Sequence, residues 1–226
     1  RWNPKIQQWS LDLESVSSGG GFGFAADVVV SAVGLFGEPK LPDIAGLSDF
    51  AGPVMHTSRW DAGVDLTGSR VAVIGTGASA VQVVPELAKI AAHVTVFQRT
   101  PPWMVPKDDR PFTAAELARF RRSRWASKRE RWRLWKEQHD FTALRVDDPL
   151  VAGRQGIAED FLRRKVSDPA LRAALTPDYP FRCKRVLLGS DYYAALQRDN
   201  TDLVTEPIVE ITESAVVTGS RVTDVD

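Results

Sequence analysis

The sequence contains a single cysteine, Cys183, so it cannot form an internal disulfide, and no Cys/His cluster has zinc-site spacing. No apolar run reaches the roughly 18 residues of a membrane-spanning helix. Neither sign of charge is in excess, because 29 Lys and Arg balance 29 Asp and Glu. The chain therefore offers no general attraction to nucleic acid or to an acidic membrane. We expect no nucleic-acid partner, no membrane partner and no metal, and a reducing cytoplasm fits the lone thiol.

The chain nevertheless has ample material for a packed core, with 226 residues of which 43% are hydrophobic. It begins at Arg1 without methionine and without a secretory signal. We therefore expect it to be a part of a longer polypeptide.

Residues 70–97 have the pattern of a β-α-β unit. Arg70–Ile74 and Val94–Phe97 are short apolar strands, and Ala78–Ala91 has helical periodicity. Pro85 predicts a kink or an interruption in that helix. Parallel strands joined by a crossover helix imply an α/β class with a Rossmann-like, doubly wound sheet covered on both faces.

The flanking segments are predicted from turn and cap signals. Residues 1–38 are predicted to form a β-hairpin, with a strand over Ile6–Leu13, a turn over Ser17–Gly23 and a strand over Phe24–Val33. Prolines and glycines in residues 38–65 favour an extended connector.

Residues 109–176 are predicted to be a helical insertion. A capping box at Thr113 and Glu116 starts a helix that runs to about His139, and a further helix covers 156–174. Short strands then follow at 203–204, 208–211 and 216–217.

A glycine-rich turn lies between the first predicted strand and its helix. It reads Gly75-Thr76-Gly77-Ala78-Ser79-Ala80 and matches the G-x-G-x-x-G/A pattern in the context that this pattern requires. Gly75 permits the tight turn, Gly77 lets the backbone approach a pyrophosphate, and Ala80 allows close packing of the helix on the strand. The helix N-terminus presents amides to the phosphates, and Gln82 completes the candidate dinucleotide-binding set.

The residues after the second strand decide between the two nicotinamide cofactors. NAD sites place an Asp or Glu there for the ribose hydroxyls, whereas NADP sites use Arg. Here the strand ends in Gln98-Arg99-Thr100, so Arg99 and Thr100 predict NADPH, the alternative being that Arg99 is a solvated surface charge. A second glycine match, over 21–26, precedes no helix and is interpreted as a hairpin loop.

The segment 113–140 holds nine Lys or Arg and four acidic residues, interleaved with aromatic side chains. A nucleic-acid-binding helix is one interpretation. The favoured one is a surface helix in which Trp125 and Trp132, seven residues apart, share a buried stripe.

The connector carries a specific pattern, Phe50-x-Gly52-x-x-x-His56-x-x-x-Trp60-Asp61. It resembles the F-x-G-x-x-x-H-x-x-x-W-P/D signature of type I Baeyer-Villiger monooxygenases. Segments 31–34, 41–46, 71–80, 97–103 and 183–193 resemble further family segments in the same order, although Val33 stands where the family has Thr. On its own residues, His56 is interpreted as a hydrogen-bonded linker histidine.

The resemblance implies a flavoenzyme that inserts one oxygen atom of O2 beside a ketone carbonyl. It implies that Lys184 joins Arg99 and Thr100 at the 2′-phosphate of NADPH and that Arg185 is the catalytic arginine. A guanidinium suits that role because it stabilises anionic species through charge-assisted hydrogen bonds. His56 and Trp60, with Asp61, would act at a hinge between the flavin and nicotinamide domains.

The family's N-terminal FAD motif and the C-terminal part of its flavin domain are not found in this sequence. We therefore expect residues 1–38 to be a flavin-domain remnant, 39–108 and 177–226 to form the NADP-binding domain, and FAD and the ketone site to need other segments of the same polypeptide. This chain alone is expected to be inactive. An N- or S-oxidising flavin monooxygenase and a non-catalytic dinucleotide-binding domain remain alternatives.

Overall fold

The computed structural model describes residues 1–34, 37–107, 110–142 and 149–226. The chain divides into two compact units, Arg1–Leu41 and Pro42–Asp226.

The first unit is a three-stranded antiparallel sheet formed by β1 (Trp2–Asn3), β2 (Gln8–Glu14) and β3 (Gly21–Ala26). The predicted hairpin is confirmed, but its second strand begins and ends earlier than predicted. Residues 21–26 pair with β2 from Glu14↔Gly21 to Trp9↔Ala26, so the interpretation of this segment as a loop is wrong. The predicted continuation to Val33 is also wrong, because β3 ends where its pairing with β2 ends.

The second unit begins its regular structure with β4 (Arg70–Ile74), α1 (Ala78–Ile90), β5 (His93–Phe97) and β6 (Met104–Val105). Four helices follow: α2 (Ala114–Arg122), α3 (Arg124–Thr142), α4 (Pro149–Lys165) and α5 (Pro169–Ala174). The remaining elements are β7 (Leu187–Leu188), α6 (Tyr192–Ala195), β8 (Thr201–Val204), β9 (Ile208–Ile211), β10 (Ala215–Thr218) and β11 (Val222–Asp224).

The centre of this unit is a parallel sheet in the order β4-β5-β8, which confirms the predicted α/β class and the β-α-β unit. Successive side chains of a strand point to opposite faces. Val94 and Val96 accordingly belong to a core cluster shared with α1, α4 and α6, while Phe97 and Val204 belong to a second cluster. That second cluster is completed by the antiparallel strands β9, β10 and β11, so helices cover one face and a β-meander covers the other.

The helices differ from the predictions in their continuity. Helix α1 runs unbroken through Pro85. The helix predicted to start at Thr113 does have the full capping box, but it ends at Arg122, and α3 begins after Ser123. The last predicted helix is also two helices, because the Asp168 side chain accepts from the amides of Ala170 and Leu171 and starts α5 separately.

The predicted buried tryptophan stripe on α3 is wrong. Trp125 is 81% exposed and Trp132 is 60% exposed. Helix α3 packs against α2, in which four of nine residues are charged and none is buried. Within the part of the chain that is described, this aromatic face is therefore on the surface.

None of the described helices combines the length and apolar character that crossing a membrane requires. The described residues also contain no group of three or more His, Cys, Asp or Glu side chains that could hold a metal ion.

Candidate functional site

The glycine turn between β4 and α1 is shaped by one residue with a positive φ. Gly75 has φ = 104°, a backbone conformation that side-chain-bearing residues rarely adopt, and its amide donates to the Phe97 carbonyl at 2.9 Å. Gly77 is the N-cap of α1 and has an ordinary extended conformation. A Cβ atom at Gly77 would have no neighbour within 4 Å, so packing within this chain does not require glycine there.

The first turn of α1 leaves its amides available. The N-cap residue makes no side-chain hydrogen bond, and Ala78 and Ser79 are exposed. Ala80 is only 7% exposed, in agreement with its predicted packing role. The Gln82 side chain donates to the Ala78 carbonyl at 2.9 Å, so it bonds to its own helix. A helix N-terminus of this kind attracts anions through its unpaired N–H groups and its dipole.

The end of β5 lies beside the glycine turn. The Thr76 hydroxyl donates to the Thr100 carbonyl at 2.9 Å, which ties the turn to the segment that follows β5. Gln98 is buried, and its side-chain Nε2 donates to the Ala174 carbonyl at 2.7 Å. Arg99 is exposed and makes no hydrogen bond or ion pair with any described residue. A guanidinium therefore stands at the strand end where NAD sites have a carboxylate.

The pairing of β6 with β7 brings Lys184 and Arg185 to the same region. These strands are parallel, with Met104 opposite Leu187, and the Leu187 amide donates to the Trp103 carbonyl at 2.8 Å. Lys184 and Arg185 immediately precede β7 and are both exposed.

The chain reaches this basic pair through a tight turn. The Cys183 amide donates to the Pro180 carbonyl at 3.1 Å, and Arg182 has φ = 74°. Arg185 has no hydrogen-bond or ion-pair partner among the residues that the structure describes.

Tyr179 connects Lys184 to the segment that follows Arg99 and Thr100. The Lys184 Nζ atom lies 4.6 Å from the centre of the Tyr179 ring, and the Tyr179 hydroxyl donates to the Pro101 carbonyl at 2.9 Å. The Trp103 indole N–H donates to the Tyr179 carbonyl at 2.9 Å. Burial raises the pKa of the Tyr179 phenol, which keeps it a donor. Tyr179 could not be predicted from the sequence, because an aromatic residue five positions before a basic pair is not a specific signal.

The signature residues of the connector make local contacts. The His56 Nδ1 atom accepts from the Ser58 amide at 3.2 Å and lies 2.8 Å from the Ser58 hydroxyl, so the imidazole caps the short helical turn Thr57–Arg59. Asp61 accepts from the Gly63 amide at 2.8 Å, and Trp60 is 44% exposed. Among the described residues, no hydrogen bond joins His56 or Asp61 to the glycine turn. The structure therefore joins the glycine turn to Thr100, joins Lys184 through Tyr179 to Pro101, and leaves His56, Trp60 and Asp61 in a separate segment.

The first part of that signature has a packing explanation. A Cβ atom at Gly52 would lie 2.6 Å from the Phe50 ring and 2.9 Å from the backbone of Asp226, so only glycine fits there without displacement. Phe50 packs against the cluster beneath the parallel sheet. The spacing of Phe50 and Gly52 thus fastens the connector to the sheet.

The sequence model of the pyridine nucleotide-disulphide oxidoreductase family matches residues 12–126, which is half of the chain. The chain belongs to this family. A Baeyer-Villiger monooxygenase of Streptomyces coelicolor is 42% identical over 217 residues, which cover 96% of this chain and 41% of that protein. The resemblance to the Baeyer-Villiger monooxygenases is thereby confirmed.

Solved structures agree with these relatives. The OTEMO complex with FAD and NADP aligns with a TM-score of 0.80 at 28% identity and covers 100% of this chain and 50% of that one. Cyclohexanone monooxygenase from Rhodococcus sp. Phi1, bound to NADP+, aligns with a TM-score of 0.78 at 27% identity, covering 100% of this chain and 49% of that one. This chain thus spans about half of these structures and about two fifths of the curated relatives.

Proposed function

We propose that this chain is the NADPH-binding portion of a flavin-dependent monooxygenase that inserts an oxygen atom of O2 into ketones to give esters or lactones. The segment 98–100, which carries Arg99, is called the basic end of β5. The observation that carries the proposal is that the hydrogen bond from Thr76 to Thr100 joins the glycine turn to this basic end. The amides at the start of α1 would hold the pyrophosphate, with Gly77 allowing its approach. NADPH supplies reducing equivalents when it is bound.

The arrangement of charge supports NADPH in preference to NADH. Arg99 is exposed beside the turn. Lys184 is joined through Tyr179 to the carbonyl of Pro101, which lies two positions after Arg99. Two cations fit a 2′-phosphate, whereas a ribose with two free hydroxyls would call for a carboxylate acceptor. Thr100 would supply a further donor.

We assign Arg185 to the reaction itself, on the strength of the family resemblance and of its exposed position next to Lys184. Its guanidinium would hold a negatively charged oxygen in place by hydrogen bonds. His56, Trp60 and Asp61 are assigned to the orientation of the connector, since His56 is engaged as a cap. We also propose a cytoplasmic location, because the single cysteine fits a reducing compartment.

FAD is the cofactor that such an enzyme needs for the oxygen-transfer step. The residues described here do not fit it: the second glycine match, 21–26, lies in strand β3 and is not followed by a helix. The proposal therefore assigns FAD and most of the ketone pocket to other segments of the polypeptide. The four-part division expected from the sequence, with 109–176 as an insertion, is retained as part of this proposal.

Calorimetric titration of the chain with NADPH and then with NADH tests the cofactor assignment. We expect NADPH to bind at least about tenfold more tightly, which corresponds to roughly 1.4 kcal/mol. Equal affinities would contradict the roles of Arg99 and Lys184. Absence of binding by a chain with a cooperative unfolding transition would contradict the assignment of a complete nucleotide site to these residues.

The assignment of the reaction is tested on the chain extended by its neighbouring coding sequence and loaded with FAD. We expect NADPH oxidation that depends on a ketone such as cyclohexanone and yields a lactone. Oxidation of an amine or a sulfide in place of the ketone would favour the alternative flavin monooxygenases. The chain alone, mixed with FAD, is expected to show no turnover.

A further inference from the structure

We propose that Tyr179 is a positioning residue that holds the Lys184 ammonium at the basic end of β5 and thereby sets part of the preference for the 2′-phosphate of NADPH. This inference rests on the proposed function.

Three contacts fix the position of Tyr179. Its hydroxyl donates to the Pro101 carbonyl, and its backbone carbonyl accepts from the Trp103 indole N–H, both at 2.9 Å. Its side chain also packs against a core cluster that contains Trp103 and Phe181. Tyr179 is therefore tied, by its hydroxyl and by its backbone carbonyl, to the segment that directly follows Arg99 and Thr100.

Lys184 needs such a partner because its side chain is long and exposed. A lysine side chain has many rotamers, so an unsupported ammonium spends most of its time away from any one ligand. The Tyr179 ring lies 4.6 Å from Nζ, within the range of a cation–π contact. A phosphate that binds Lys184 in this position does not have to order the whole side chain.

The cation–π contact leaves the charge available to a ligand. A ring attracts the ammonium through its face and accepts no strong hydrogen bond, so the N–H donors of Lys184 remain free to bind phosphate oxygens. A carboxylate in place of Tyr179 would instead neutralise the cation. The contact is thus suited to holding a phosphate-binding lysine.

The test measures the affinities of the 226-residue chain for NADPH and NADH by calorimetry in four forms: the wild type, Tyr179→Leu, Lys184→Met and the double variant. We expect Tyr179→Leu to weaken NADPH binding about two- to fivefold and to leave NADH binding unchanged. Once Lys184 is Met, the same Leu substitution should have no further effect on NADPH. Tyr179→Phe keeps the ring and should retain NADPH affinity to within about twofold.

If the role of Tyr179 were purely structural, Tyr179→Leu would weaken NADPH and NADH binding together. It would also weaken NADPH binding in the Lys184→Met background. Either result overturns the inference. Trp125→Leu is the matched control, since it removes another Lys–aromatic contact, with Lys128 at 5.6 Å, from helix α3, which holds none of the proposed cofactor-binding residues. Tyr179→Met replaces the Leu variant if the latter does not fold.

The outcomes also separate this inference from the proposed function. A wild type without NADPH preference contradicts the proposed function. A wild-type preference that is lost in Lys184→Met and kept in Tyr179→Leu overturns only the role of Tyr179.

Discussion

At the residue scale, the two glycines of the nucleotide turn are needed for different physical reasons. Gly75 is required by its φ of 104°, whereas Gly77 has ordinary angles and open space around it. We expect Gly75→Ala to lower the free energy of unfolding by about 1–3 kcal/mol because it forces a side chain into a disfavoured backbone region. Urea denaturation followed by tryptophan fluorescence measures this change.

Gly77→Ala is expected to change NADPH affinity and to leave stability almost unchanged. Its stability should stay within about 1 kcal/mol of the wild type, because the new methyl meets no atom of the chain. NADPH affinity should fall at least about tenfold, because the methyl would separate the backbone from the pyrophosphate. Unchanged NADPH binding would show that this turn does not approach the phosphates.

Arg99 is the residue on which cofactor choice depends most directly. Arg99→Gln removes a charge that has no partner among the described residues, so we expect no loss of stability. NADPH affinity should fall about tenfold or more, while NADH affinity stays the same. Arg121→Gln on α2 is the control for a general effect of charge, and an equal loss in both variants would refute a specific contact.

At the scale of elements, the connector before β4 is fastened to the β-meander. Gly46 has φ = 74°, and a Cβ atom there would lie only 1.9 Å from the Ile211 carbonyl oxygen. The Ile211 amide donates to the Ala45 carbonyl at 2.8 Å, so the two segments are held at this close approach. Any side chain at Gly46 must therefore push the connector from the meander.

We expect Gly46→Ala to cost at least about 2 kcal/mol of unfolding free energy, through backbone strain together with the clash. Gly68→Ala is the matched control, because Gly68 has φ = 73° and nothing within 4 Å of its Cβ position. That control isolates the strain, which is about 1–2 kcal/mol. Equal urea midpoints for the two variants would show that the contact with Ile211 can relax.

The elements that the sequence predicted well are those with strong local signals. The strand–turn–helix of residues 70–90 combines an apolar strand, a glycine turn and helical periodicity, and its bounds agree closely with those observed. Residues 28–33 also have high β-propensity, yet they form no strand, because a strand needs a partner for its backbone groups and the pairing ends at Ala26. Local propensity alone does not supply that partner.

The candidate site was predictable to a similar extent. Gly75 and Arg99 follow the two strands of one β-α-β unit. Because these strands are parallel neighbours, the sequence pattern already predicts that both residues lie at the same edge of the sheet. Lys184 lies 85 residues after Arg99, and the pairing of β6 with β7, two strands of two residues each, links its segment to the one that follows β5. Elements so short have no periodicity from which they could be predicted, and the role of Tyr179 depends on them.

At the scale of the whole molecule, an ion pair joins Arg70 and Asp226, two residues of the second unit that are 156 positions apart. The Arg70 guanidinium donates to both carboxylate oxygens of Asp226, and the Asp226 amide donates to the Arg70 carbonyl at 3.0 Å. This pair joins the first strand of the parallel sheet to the residues that follow β11. It therefore connects the sheet with the meander that covers one of its faces.

The ion pair makes stability depend on pH in a defined window. The hydrogen bonds from Arg70 lower the pKa of Asp226 to about 2 from an ordinary value of 3.8. A carboxyl whose pKa is depressed by folding stabilises the fold above its unfolded pKa and loses that contribution as the pH falls through its folded pKa. We expect the free energy of unfolding to decline between about pH 4 and pH 2, and Asp226→Asn to make that decline shallower. Asp12→Asn, in the first unit, is the control for removing a carboxylate, and an unchanged slope in Asp226→Asn would show that this pair does not contribute to closing the unit.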